Sequence, residues 1–395
     1  MSQFSTLGLA APIARAIEAK GYVLATPIQL EAIPAVLSGG DVLGIAATGT
    51  GKTAAFALPI LHRLYSGEAK TDRAGMCRAL VLCPTRELAA QIAVSFKAYG
   101  MHTGLRVQAI YGGASFDKQM KELRRGTDII VATPGRLLDH MAQRTLRLDQ
   151  VRMVVLDEAD HMLDLGFIPA VRRILKTLPL DRQTLMFSAT MPGPIRQLAD
   201  EMLETPTTVS VTPSSRPPEA IDQSVVFIDA GAKRQHLAKL LTQHVDRRSL
   251  VFTRTKRGAD KVVKDLAAAR LTAAAIHGNK SQNQRERALE AFRSAKTPVL
   301  VATDIAARGI DIGGIDLVVN YDLPEVPETY VHRIGRTARA GKNGRAISFC
   351  AEHERPLLRA IERSIGKSVP GSEAQGRRTA TSQRGGGFAL ARAKG

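Results

Sequence analysis

Short apolar, β-branched runs alternate with stretches of helical periodicity along most of the chain. In the first half these runs fall at 41–46 (DVLGIA), 79–83, 106–111, 128–132, 153–157 and 184–189. Helical patterns lie between them, as in Arg86–Tyr99 and Pro134–Arg144. Strands that read as continuous apolar runs are buried on both faces, so the alternation predicts parallel sheets covered by helices on both sides. At 211–219 the pattern breaks. The string VTPSSRPPE is rich in Pro and Ser and poor in apolar residues, the composition of a linker. The alternation then restarts at 224–229, 248–253, 272–277, 298–303, 317–321 and 345–350. Two doubly wound α/β domains are therefore expected, at 1–208 and 221–368, with a linker at 209–220. From Pro370 the chain is rich in Gly and Arg, which predicts a disordered basic tail over 369–395.

A length of 395 residues fits two or three domains of roughly 100–200 residues each. No apolar run is long enough to span a bilayer, and the N-terminus lacks a basic segment followed by an apolar one. A cytoplasmic location is the expectation. Cys77, Cys83 and Cys350 form no CxxC and have no His cluster beside them, so they read as core residues rather than metal or redox groups. The net charge of +18 suits a polyanionic partner, because Lys and Arg that neutralise phosphates release condensed counterions; a solubilising surface is the other reading. Aromatic residues make up only 4% and Trp is absent, so contact with a nucleic-acid backbone is favoured over stacked aromatic platforms.

The strongest chemical signal is Ala46-Ala47-Thr48-Gly49-Thr50-Gly51-Lys52-Thr53, placed after the strand at 41–46 and before a helical run. Gly49 and Gly51 let successive backbone N–H groups face a phosphate, and the helix start adds its positive dipole end. Lys52 would reach the β- and γ-phosphates of a nucleotide, and Thr53 would ligate Mg2+. Ala46 stands where the strict phosphate-loop pattern has Gly. The second signal is Asp157-Glu158-Ala159-Asp160, closing the strand at 153–157. Asp157 suits a metal-holding role, and Glu158 can orient or deprotonate an attacking water. Alone, such a cluster reads as a helix cap; with a phosphate loop at the same sheet edge it reads as a nucleotide site.

These motifs, with the literal string DEAD at 157–160, resemble the DEAD-box RNA helicases, most nearly the bacterial RhlE-like group. The resemblance covers the chain from Phe4 to about Gly366. It implies two tandem RecA-like domains, an ATP and Mg2+ requirement and single-stranded RNA as partner. Gln29 would read the adenine edge, and Tyr22 would stack on the ring with Phe4 as an outlying aromatic. Thr85, Arg86, Gly113, Thr133, Pro134, Gly135 and Arg136 resemble the RNA-backbone motifs of the first domain. Arg254, Gln282, Arg285 and Thr303 resemble those of the second. Ser188 and Thr190 resemble the motif that couples hydrolysis to strand separation. Asp311 would hold the ATP ribose, and Arg336 and Arg339 would be arginine fingers; Ala338 stands where the family usually has Gly.

The implied activity is RNA-stimulated ATP hydrolysis, with closure of the two domains on one RNA strand and local unwinding of short duplexes or remodelling of RNA–protein complexes. A DNA-directed helicase and an ATP-gated RNA clamp without turnover are the alternatives. A monomeric core is expected. Ribosome assembly and RNA degradation are the contexts the resemblance allows.

Overall fold

A computed structural model describes residues 4–47, 49–67, 75–211, 220–245, 247–307, 314–338 and 343–373; within these, the side chains of Gln282 and Ile305 lie outside the description. Thr48, Asp311, Arg339 and the tail beyond Glu373 therefore fall outside the described residues.

The first sheet contains β1 (Val42–Ile45), β2 (Ala79–Leu82), β3 (Val107–Ile110), β4 (Ile129–Ala132), β5 (Met153–Leu156), β6 (Gln183–Ser188) and β7 (Thr207–Ser210). All pairs are parallel, in the order β3-β4-β2-β5-β6-β1-β7. The second sheet contains β8 (Ile221–Phe227), β9 (Ser249–Phe252), β10 (Ala273–Ile276), β11 (Val299–Ala302), β12 (Leu317–Asn320), β13 (Gly344–Cys350) and β14 (Gly371–Glu373). Its order, β10-β11-β9-β12-β13-β8-β14, repeats the first strand for strand. This is the pair of tandem parallel α/β domains that the alternation predicts.

Every residue of β2, β4, β5, β9, β11 and β12 is buried, because helices cover both faces. Alternate residues enter opposite cores. Ala79 and Val81 pack with Phe56 and Phe96, whereas Leu80 and Leu82 pack with Leu137 and Val171. In the second lobe Leu250 and Phe252 take one side and Val251 the other. Truncating a buried leucine such as Leu82 to Ala removes transfer energy and leaves a cavity, a cost of about 2–5 kcal/mol.

Two strands escape the sequence pattern. In β7 only Val209 is buried, so its edge position leaves no apolar run to read. Strand β14 lies inside the expected tail, which the structure shortens: Gly371–Glu373 pairs with β8, and Val225 donates its N–H to Pro370. A Cβ on Gly371 would meet the Phe227 ring, so the close approach requires glycine.

Candidate active site between the two lobes

The loop after β1 leads into the helix Lys52–Ser66 through Gly49 (φ 90°) and Gly51 (φ 97°), left-handed conformations that glycine adopts without steric cost. A Cβ on Gly51 would also strike the Gln29 amide. Lys52 is 6% exposed, and its ammonium donates to the Ala46 carbonyl at 2.9 Å, which curls the side chain back over the loop. Thr50 donates to the Ala47 carbonyl at 2.8 Å, and Thr53 is half-buried one residue into the helix.

Gln29 reaches this loop from the helix Pro27–Leu37. Its Oε1 accepts from the Thr26 N–H at 2.9 Å, and its Nε2 donates to the Gly51 carbonyl at 3.1 Å. The amide is thus held at the loop with a lone pair and a second N–H left over. Tyr22 is 40% exposed and lies between the rings of Phe4 (centroids 6.1 Å apart) and Tyr99 (6.2 Å).

Asp157 and Glu158 follow β5, the sheet position two strands from β1. Both are buried. Asp157 Oδ1 accepts from the Glu158 N–H at 3.0 Å. Glu158 has φ 53° and ψ 53°, a left-handed backbone that is uncommon outside glycine and is held by its surroundings. Burial raises the Asp157 carboxyl to about 7, with Lys52 opposing the rise and the Glu158 charge adding to it. For Glu158 burial also opposes ionisation, but the His161 hydrogen bond, the Lys52 charge and Arg336 outweigh it, and its carboxyl lies below the usual range. Of the two, Glu158 is the carboxyl more readily held ionised.

Asp160 ties this strand end to the next. Its Oδ2 accepts from the Thr190 N–H (3.0 Å) and hydroxyl (2.9 Å). Ser188 accepts from the Asp160 N–H at 3.2 Å and donates to the Thr190 carbonyl at 2.8 Å. Any tilt of the segment after β6 is felt directly at the acidic pair.

The second lobe faces this centre. A cavity of about 430 Å³ lies between the lobes, lined by Glu158, His161 and Thr190 on one side and Thr329, His332 and Arg336 on the other. Arg336 is 5% exposed and is close enough to help hold Glu158 ionised. A second contact crosses the cleft, an ion pair of 3.1 Å from Arg285 to the buried Glu87.

The remaining predicted residues lie on the other half of each sheet edge. Thr85 caps the helix Arg86–Tyr99, its oxygen accepting from the Leu88 N–H at 3.2 Å while its O–H stays available. Arg86 lies against Gly112, and Gly113 is exposed with φ 80°. Thr133 and Pro134 open the helix Pro134–Ala142; Gly135 is exposed, and Arg136 donates to the Ala114 carbonyl at 3.0 Å. Thr303 follows β11 directly. Arg254 is drawn to Glu354 (3.3 Å) and Glu325 (3.7 Å), so a phosphate there would compete with carboxylates.

Residues 26–198 match the DEAD/DEAH box helicase family, and residues 232–341 match the helicase conserved C-terminal domain. The ATP-dependent RNA helicase CshA of Listeria monocytogenes is 42% identical over 369 residues, which cover 93% of this chain and 70% of that protein. The DEAD-box ATP-dependent RNA helicase CshA of Bacillus subtilis is 42% identical over 366 residues, 93% of this chain and 73% of that protein. This chain is a DEAD-box helicase. The curated relatives named here are called CshA, so the assignment stands at the level of the family.

Among solved structures, S. cerevisiae Dbp5 bound to RNA and ADP BeF3 superposes with a TM-score of 0.85 at 32% identity, covering 94% of this chain and 96% of that one. Mss116 bound to ssRNA and UDP-BeF gives 0.86 at 27% identity, covering 96% and 81%. A Dbp5 variant bound to Nup159, Gle1, IP6 and ADP gives only 0.64 over 93% of this chain. This helicase superposes more fully on the RNA-bound form than on that one.

Sequence reasoning left three residues of this helicase without a role. Asp160 was read only as part of the acidic string, although its carboxylate makes the link to Thr190. Glu87 stands one residue after a predicted RNA contact, but its partner Arg285 is distant in sequence, so no local signal could pair them. His161 adjoins the acidic box, and its contact depends on the left-handed turn at Glu158.

Proposed function

We propose that this protein binds ATP and single-stranded RNA across the two lobes, hydrolyses ATP when the lobes are closed, and locally unwinds short RNA duplexes. One observation carries the reading. Residues matching nucleotide motifs occupy the β5-β6-β1 half of the first sheet edge, where Glu158 shares a cavity with Arg336, while those matching RNA motifs occupy the β3-β4-β2 half. Hydrolysis and strand gripping thus need the same closure.

Lys52 neutralises charge on the β- and γ-phosphates, with the loop N–H groups of Ala47 and Gly49–Gly51 around them. Tyr22 and Gln29 take the adenine. Glu158 orients the attacking water and accepts its proton as the γ-phosphoryl bond to ADP breaks, leaving phosphate. Arg336, joined by Arg339, stabilises the charge spread over the transferring group; such fingers are worth roughly 10³–10⁵ in turnover. Thr48 completes the loop and Asp311 the ribose contact; with Arg339, they lie outside the described residues. Thr53 and Asp157 would hold Mg2+. One hydroxyl and one carboxylate suit an ion that keeps several waters, and no cluster of three or more His, Cys, Asp or Glu exists among the described residues to hold it otherwise. When bound, the ion neutralises the phosphate charge that Lys52 leaves uncovered.

Thr85, Arg86, Gly113, Thr133, Pro134, Gly135 and Arg136 on one lobe, and Arg254, Gln282, Arg285 and Thr303 on the other, grip the RNA backbone. A strand bent between them no longer stacks on its complement. Because RNA favours the closed state and the closed state hydrolyses ATP, RNA stimulates turnover by linkage. Ser188 and Thr190, through Asp160, tie the two events. The domain division 1–208, 209–220, 221–368 and 369–395, a monomeric core, a cytoplasmic location and a place in ribosome assembly or RNA degradation belong to the same reading. Among the described residues no helix is long and apolar enough to cross a membrane.

The test is multiple-turnover phosphate release with saturating single-stranded RNA or with DNA of the same sequence. RNA should stimulate release and DNA should not. Glu158→Gln should bind ATP and RNA yet stall. Equal stimulation by DNA would reject the RNA reading, and normal turnover by the variant would reject the role of Glu158.

A further inference from the structure

His161 is buried, 3% exposed, and none of the roles above uses it. Its Nδ1 lies 3.3 Å from Oε2 of Glu158. A carboxylate can only accept, so Nδ1 carries the hydrogen. Its Nε2 is buried without a hydrogen-bond partner. A histidine retained only for packing would satisfy both ring nitrogens or give way to an apolar residue of similar volume, since an unpaired buried nitrogen is a cost with no return in stability.

The backbone supplies the reason for the contact. The helix Ala159–Asp164 starts after Glu158, whose left-handed φ and ψ turn its side chain back over the first helical turn. The third residue of that turn is His161. The ring therefore meets the carboxylate only while the strained turn persists, and both groups line the cavity that Arg336 closes.

We infer that His161 is a positioning residue for hydrolysis: its Nδ1–H fixes Oε2 of Glu158 and so sets the carboxylate's orientation toward the water site between the lobes. The inference rests on the reading of Glu158 as the group that orients that water. A glutamate has three rotatable bonds, and a carboxylate fixed at one oxygen loses most of the orientations that would misplace the other. Misplacement of a reacting group by about 1 Å costs on the order of 100-fold. The loss should fall on kcat, because this ring contacts Glu158 and not the residues assigned to RNA or to the nucleotide base.

The experiment compares His161→Asn, whose amide nitrogen overlays Nδ1, with His161→Gln, whose amide falls at the Nε2 position. Both are polar and small enough to fold in place, and thermal unfolding of each is recorded beside the parent. RNA-stimulated phosphate release is measured with poly-uridine RNA over a range of ATP concentrations. His161→Asn should keep kcat within about threefold of the parent, while His161→Gln loses about 10- to 100-fold, with KM for ATP and the half-saturating RNA concentration within about twofold for both. Equal activity of the two variants, or a loss that appears in KM or in unfolding temperature in place of kcat, overturns the inference. Glu158→Gln is run in parallel. If it turns over at the parental rate, the failure belongs to the role of Glu158 and not to His161.

Discussion

The two lobes share one wiring diagram and put it to different uses. In each sheet the first strand in the chain is followed by a helix with lysine at its first position: Lys52 after β1, Lys233 after β8. Each lysine faces the end of a strand that carries carboxylates, β5 in one lobe and β12 in the other. Among the described residues Lys52 donates to the Ala46 carbonyl, and the glycines before it suit the proposed phosphate site. Lys233 is buried and committed. It donates to Glu354 at 2.6 Å and to the Tyr321 carbonyl at 2.8 Å, and lies 3.5 Å from Asp322. The fold places a lysine at the strand ends in both lobes, and the loop chemistry decides whether it serves the proposed phosphate site or locks a core. Function on this architecture is read from the site, not from the topology.

The sharpest way to break the comparison is to remove both lysines in turn. Lys52→Ala should reduce ATP affinity by about 100-fold or more and abolish phosphate release, with a smaller change in unfolding temperature than the second lysine gives, because its hydrogen bond in the fold goes to a neutral backbone carbonyl, that of Ala46. Lys233→Ala leaves Glu354 buried with Arg254 as its nearest remaining cation, at 3.3 Å. Breaking a buried pair costs roughly 3–5 kcal/mol, so this variant should unfold at clearly lower temperature while the folded fraction binds ATP as the parent does. Weak ATP binding by Lys233→Ala at unchanged stability would mean that the second lysine is not structural after all.

The difference between the lysines also shows what a sequence can and cannot disclose. All twelve apolar runs contain strands, and six of those buried at every position read as mostly apolar strings, which is a local property. The phosphate loop and the acidic pair were legible for a similar reason: glycines that permit positive φ, then Lys-Thr, then a carboxylate at a strand end form contiguous strings. The edge strands β7 and β14 were not, since an edge needs backbone pairing and little apolar surface. Contacts between distant segments were also hidden. Nothing near Lys233 announces Glu354, and nothing near Glu87 announces Arg285. The second-lobe motifs were placed through their resemblance to a family, not through local chemistry, and Arg254 shows the consequence. It was expected to meet phosphate, and the structure gives it carboxylate neighbours as well.

Across the cleft the comparison can be sharpened through Glu87 and Arg285. With the lobes together their side-chain exposures are 4% and 16%, and they come from opposite lobes, so their pairing exists only when the lobes are together. Arg285→Ala should raise the RNA concentration that half-saturates ATPase activity by about tenfold, and Glu87→Gln should do so by less. A double-mutant cycle should give a coupling of about 1–3 kcal/mol in RNA-stimulated turnover and none in the unfolding of either lobe. Strictly additive effects would mean that the pair does not help hold the closed state.

The smallest expected effect concerns the RNA half of the first lobe and depends on pH. His140 is fully buried, its Nε2 3.1 Å from Gln119 Oε1 and its Nδ1 2.8 Å from Thr145 Oγ1, with Phe116 stacked on it at 4.1 Å. Burial, and then the Arg136 charge, push its pKa down from 6.5 to about 4. In the unfolded chain this imidazole takes up a proton as pH falls through about 6.5, whereas in the fold it stays neutral until about 4. Its contribution to stability is therefore present above pH 6.5 and drains away between there and 4, by about 1–3 kcal/mol. His140→Asn, which cannot be protonated, should be less stable than the parent at pH 7.5, and that deficit should shrink as pH is lowered to 4.5 in thermal unfolding. Gln119 also accepts from Arg136 at 3.4 Å, so protonation of the ring would disturb an expected RNA contact as well as the core. A stability difference between parent and variant that stayed constant across this range would show that the imidazole is not held neutral, and His140 would no longer link core packing to the proposed RNA surface through pH.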